Sequence, residues 1–167
     1  YQSYAAKKKD KAKVSRGEKK FVFKFALMDL DTKMYVCYGS SLKSEKDAYN
    51  KAMKMLKKSG IKLNSIRLDR YYSNPGDISE FKNCKAYFIP KKNVTMQNGL
   101  FWNERLTEFV ENTFSYLKEF FKRNNSEAGF GSDKKMFGWK IKQKREDRID
   151  TALFCKVIWR NLFQLYA

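Results

Sequence analysis

Histidine is wholly absent from these 167 residues. That excludes Ser-His and Cys-His nucleophile pairs, His-ligated metals and the commonest general base. Any chemistry must therefore use carboxylates, Lys, Tyr or metal ions held by oxygen. Carboxylates are themselves few: 18 Asp and Glu stand against 36 Lys and Arg, a net charge of +18. Such an excess repels itself in isolation and points to a polyanionic partner. Only three cysteines occur, Cys37, Cys84 and Cys155, widely spaced and in apolar settings. This spacing excludes a zinc cluster and predicts reduced, buried thiols in a cytoplasmic protein. Long apolar runs are missing too. The longest stretch free of charge, Asn93 to Asn103, has eleven residues. A membrane-spanning helix needs roughly 20 apolar residues, so a transmembrane protein is excluded. No apolar run follows the basic start, so no secretory signal is expected. The chain also begins without Met, and its true start is expected upstream.

What is present is enough for one packed domain, with 43% hydrophobic and 16% aromatic residues. Residues 1–20 carry Lys7, Lys8, Lys9, Lys11, Lys13, Arg16, Lys19 and Lys20 with little apolar periodicity. They read as a basic arm or loop, either solvated or tracking phosphates, ahead of a domain at 21–167. From Phe21 the pattern alternates: Phe21, Phe23, Phe25 and Leu27 on one face, then Met34, Val36 and Tyr38 after a turn at 29–33. That predicts a β-hairpin. Ser44 and Asp47 form a capping pair for a helix over Ala48, Tyr49, Ala52, Met55 and Leu56, which Gly60 stops. A short strand follows at 65–69, then a brief helix opened by Asn74 and Pro75, then a strand at 86–90. Beyond Trp102, Leu106, Phe109, Val110, Thr113, Leu117, Phe120 and Phe121 predict one apolar helical stripe. A last helix at 147–166 turns Ile149, Ala152, Leu153, Val157 and Leu162 inward. Strands alternating with helices give an α/β sheet whose strand ends can host a site.

Two places could carry chemistry. Asp69 closes a strand, where a carboxylate is well placed to bind a metal, although Asp ends many strands for structural reasons alone. Phe120, Arg123, Glu127 and Lys134 are spaced 3, 4 and 7 apart, which would align them on one helical face. A surface ion pair explains Arg123 and Glu127 equally well, and Gly129 and Gly131 predict a loosened helix before Lys134. The Gly129-Phe-Gly131 pair is no nucleotide loop, because no strand precedes it.

Asp69 with Tyr72, the Tyr-Phe-Ile-Pro-Lys-Lys run at 87–92, and Arg123, Glu127 and Lys134 at these spacings resemble the C-terminal part of a DDE insertion-sequence transposase. One group of that family carries a Y-x2-R-x3-E-x6-K signature around its last catalytic carboxylate. Three of its four letters stand here, with Phe120 in place of the Tyr. The segment from Lys156 to Phe163 is also similar to the family's final helix.

The resemblance implies a ribonuclease-H-like core, a mixed sheet flanked by helices, here lacking its first strand. The family's first catalytic Asp lies on that strand, upstream of Tyr1, so this fragment is expected to be inactive by itself. Asp29 and Asp31 sit in the hairpin turn and are poor substitutes. It further implies Mg²⁺ or Mn²⁺ bound by Asp69 and Glu127, with Arg123 orienting Glu127 and Lys134 meeting a DNA phosphate. Tyr72 would support the site, and loss of the Tyr hydroxyl at Phe120 removes any hydrogen bond made there. DNA, as element ends and target, is the implied partner, and a homodimer is compatible with it. Lys7, Lys8, Lys9, Lys11, Lys135, Lys140, Lys142, Lys144 and Arg145 are the expected DNA contacts. The readings that compete are a non-catalytic basic nucleic-acid-binding module and a nuclease or resolvase of the same fold.

Overall fold

The computed structural model describes residues 21–166; the basic arm at 1–20, with Lys7, Lys8, Lys9 and Lys11, lies outside the described residues. The chain is mixed α/β. It forms two compact units, one from the N-terminal part up to Ile61 together with Ala128 onward, the other from Lys62 to Glu127.

In the first unit, β1 (Phe23–Met28) and β2 (Tyr35–Ser41) form the expected antiparallel hairpin. Its turn is fixed by Asp29, whose carboxylate accepts from the Thr32 amide (2.9 Å) and hydroxyl (2.6 Å). Those bonds hold the Asp29 carboxyl below the usual carboxylate range and leave it committed to the turn. Helix α1 (Glu45–Ser59) starts at Ser44, which accepts from the Asp47 amide, and ends at Gly60 in the left-handed region (φ 68°). It crosses β2 at Gly39, where a Cβ would stand 2.1 Å from the Ala48 carbonyl oxygen and 2.6 Å from the Ala52 nitrogen. Only glycine allows that approach. Helix α6 (Glu146–Leu165) covers the hairpin with Ile149, Leu153 and Val157, which cluster with Val22, Tyr35 and Tyr38. Asn161 bonds it to β2 by accepting from the Tyr35 amide (2.7 Å) and donating to the Tyr35 carbonyl (2.9 Å).

In the second unit, β3 (Ser65–Arg67) and β4 (Lys85–Tyr87) pair in parallel. Helix α2 (Pro75–Ser79) is capped by Asn74 as expected. The single apolar helix predicted after Trp102 is instead broken. Helix α3 (Leu100–Glu111) ends at Asn112 and α4 (Thr113–Phe121) begins a new phase. The break turns Tyr116 inward and leaves Val110, Thr113 and Phe121 exposed. Helix α5 (Asn124–Phe137) then runs through Gly129 and Gly131 without interruption.

The thiols differ from expectation. Cys37 is buried and its pKa is pushed up to about 11 by that burial, but Cys84 is half-buried and Cys155 is exposed on α6. No described helix is long and apolar enough to cross a membrane.

Candidate functional site

In the second unit the packing brings Asp69 and Glu127 to one arginine. Ile66 and Leu68 are buried, and the Leu68 amide donates to the Tyr87 carbonyl (3.0 Å), which carries the β3–β4 pairing to its last bond. Asp69 therefore emerges two residues beyond β3, where its side chain caps a 3₁₀ turn at Arg70–Tyr72. Helix α4 is fixed against this pair by Tyr116, whose hydroxyl accepts from the Phe88 amide (2.9 Å), and by an apolar cluster of Tyr87, Tyr116 and Phe120. Arg67 strengthens the joint by donating to the Glu119 carboxylate (2.6 Å) and carbonyl (3.0 Å) while lying over the Tyr87 ring. Lys122 first, and Arg67 next, hold the Glu119 carboxyl below its ordinary range.

The end of α4 is thereby held close to Asp69. Arg123 lies in the turn between α4 and α5, with Nη1 3.5 Å from Asp69 Oδ1 and Nη2 2.7 Å from Glu127 Oε1. Its guanidinium also stands over the Phe120 ring, 5.3 Å from the centroid. That contact needs an aromatic face and no hydroxyl, so Phe serves it as well as Tyr would. The Asp69 and Glu127 side chains are 61% and 60% exposed, against 24% for Arg123. Exposed pairs of this kind contribute about 0–1 kcal/mol to stability. They leave both carboxylates open to solvent and to a ligand. Tyr72 is buried beneath the turn, while Tyr71 is exposed.

Asp69 and Glu127 are hard oxygen donors of the kind that Mg²⁺ and Mn²⁺ take. Their convergence on one cationic group fits a divalent ion in kind. It falls short in number, because among the described residues no three acidic or thiol groups come together to hold a metal.

The positive surface belongs to the first unit. Lys135, Lys140, Lys142, Lys144, Arg145 and Arg148 are exposed, and Arg145 is paired with Asp147 (2.7 Å). Lys134 is half-buried, with Nζ 5.0 Å over the ring of Trp139.

One polar cluster was not foreseen. Asp133, 1% exposed, accepts from the Tyr35 hydroxyl and from Arg160 Nη1 (3.0 Å). Lys24 lies over the Tyr35 ring, 4.5 Å from its centroid, with its pKa lowered to about 8 by burial against the opposing pull of Asp133. The signal was an Asp one position before Lys134, but its partners are 98 and 27 residues away.

No protein-family model and no solved structure matches the chain. The probable transposase for insertion sequence element ISA1214 of Archaeoglobus fulgidus is 47% identical to it over 149 residues, 89% of this chain. The chain spans about half, 46%, of the length of that curated relative. At this coverage positions 69, 123, 127 and 134 necessarily fall inside the aligned stretch. The chain is thus similar, along most of its own length, to part of that probable transposase.

Proposed function

We propose that this chain is part of a DDE-type DNA transposase with a ribonuclease-H-like core, and that Asp69 and Glu127 are two of its metal-binding carboxylates. The whole protein would cleave phosphodiesters at the ends of an insertion sequence in the cytoplasm and join the freed 3′ hydroxyl to target DNA. The observation that carries this reading is the convergence of both solvent-open carboxylates on Arg123, at the signature spacing. Among the described residues the antiparallel β1–β2 ladder and the parallel β3–β4 ladder are two separate two-stranded sheets, so the single mixed sheet belongs to this proposal alone. We assign the remaining strand, and the first catalytic Asp on it, to sequence upstream of Tyr1.

When bound by such carboxylates, Mg²⁺ or Mn²⁺ supplies Lewis-acid activation of a water or 3′ hydroxyl and stabilises the leaving oxygen. Asp69 offers its carboxylate from two residues beyond β3, and Glu127 offers a second from the first turn of α5. Arg123 offsets the repulsion between them and limits their rotamers, so that two like charges share one place before a cation arrives. Lys134, with Lys135, Lys140, Lys142, Lys144 and Arg145, would neutralise DNA phosphates.

A non-catalytic binding module remains the second reading. It is favoured by the pairing of both carboxylates with Arg123, as in ordinary surface ion pairs. A longer protein that includes the upstream sequence separates the two. It should nick cognate element ends with Mg²⁺ or Mn²⁺, and Glu127→Gln should abolish nicking while DNA binding and folding persist. The 167-residue chain alone should bind DNA and cut it poorly. Metal-dependent cleavage by the Glu127→Gln protein would overturn the role of that residue. Cutting without joining would make the protein a nuclease or resolvase.

A further inference from the structure

Between Lys134 and Arg148 the chain places seven basic residues against only Glu146 and Asp147, and in their midst stands Trp139. An indole in such a setting is costly to expose, yet this residue is 59% exposed. It is not loose chain. On one side, Lys156 Nζ donates to the Phe137 carbonyl (3.1 Å) and the Gly138 carbonyl (3.4 Å), and Gly138 takes the left-handed conformation (φ 71°) that ends α5. On the other side, Ile141 packs against the core cluster of the first unit. The backbone is thus pinned on both sides of Trp139, and the ring projects from between the two anchors. Lys134 lies over the ring and sets a cation beside it.

We propose that Trp139 is a stacking platform for an unpaired base, so that this surface grips single-stranded or frayed DNA and does not merely track duplex phosphates. The chemistry follows from the composition of the patch. Lysines and arginines neutralise a backbone of any sequence, whereas an exposed aromatic face contributes only if a base can leave its own stack to lie on it. A duplex offers no such base away from its ends. Fixing the backbone on both sides of the indole in advance lowers the ordering cost of stacking. The inference rests on the proposed DNA-binding function and adds to it the form of DNA recognised.

The test is fluorescence anisotropy of the 167-residue chain with a labelled 20-nucleotide single strand and with the blunt duplex of the same sequence. It compares wild type, Trp139→Ala and Trp139→Phe, with Trp159→Ala as an exposed tryptophan of α6 outside the patch. Trp139→Ala should weaken single-strand binding about tenfold, the loss expected for one stacked base, and change duplex binding less than twofold. Trp139→Phe should keep most of the affinity, and Trp159→Ala should match wild type. Matching circular-dichroism melts keep a folding defect from imitating the result. An equal loss on both DNAs, or no loss on the single strand, overturns the stacking role while leaving DNA binding intact. If wild type binds neither DNA in a salt-dependent way, the proposed function fails together with this inference.

Discussion

The two units hold their key carboxylates in opposite ways. In the first, Asp133 is sealed from solvent and meets Tyr35 and Arg160. In the second, Asp69 and Glu127 face water and share a single guanidinium. Asp133 answers a buried positive charge, so removing it strands Arg160 in a low-dielectric interior. Asp69 and Glu127 answer nothing that solvent could not. Burial with dedicated partners marks a carboxylate that holds the fold, whereas the shared, open placement of Asp69 and Glu127 is what the proposed metal-binding role requires.

The largest effect should follow from breaking the buried side of this contrast. Asp133→Ala is expected to cost about 3–5 kcal/mol, because Arg160 loses its compensating charge, read as a shift in the urea midpoint. A loss below about 1 kcal/mol would mean that water already reaches Arg160. Gly39→Ala should cost about 1–3 kcal/mol or more by forcing α1 off β2, since the atoms in the way belong to backbone. Thermal melts followed by circular dichroism would register it.

A pH effect of similar or smaller size sharpens the contrast. The folded pKa of Lys24 lies near 8, below its ordinary value of 10.5. Between those two values the unfolded chain binds the proton that the folded chain has released, so this group makes stability rise with pH across that window. Wild type should therefore gain on Lys24→Met by about 1–3 kcal/mol between pH 8 and 10.5. Paired urea melts at both ends check it, and a pH-independent difference between the two proteins would contradict the burial assigned to Lys24. The smallest stability effect belongs to the open pair. Asp69→Asn combined with Glu127→Gln should change unfolding free energy by less than about 1 kcal/mol, as measured by the same melts.

Local patterns were legible in the sequence where local physics decides. The hairpin follows from alternation and from a turn that Asp29 closes within itself, and α1 follows from Ser44 and Gly60 at its ends. The break at Asn112 was not legible, because the apolar spacing runs on across it and the choice of Tyr116 over Thr113 as the buried residue is made by β4 packing. The pairing of Arg67 with Glu119 spans 52 residues, beyond the reach of any periodicity. Asp69, Arg123 and Glu127 could be named from spacing and resemblance. Their meeting at one point depends on that long-range joint between β3 and α4.

Binding of a divalent ion by the open pair is the central claim, and it can be read directly by titrating Mn²⁺ into ¹⁵N-labelled 167-residue chain. Paramagnetic broadening should concentrate at the amides around Asp69 and around Arg123 to Glu127. It should spare those around the sealed Asp133, and it should vanish in the Asp69→Asn, Glu127→Gln double variant. Broadening that ignores residues 69 and 127, or that survives the double variant unchanged, would contradict the account.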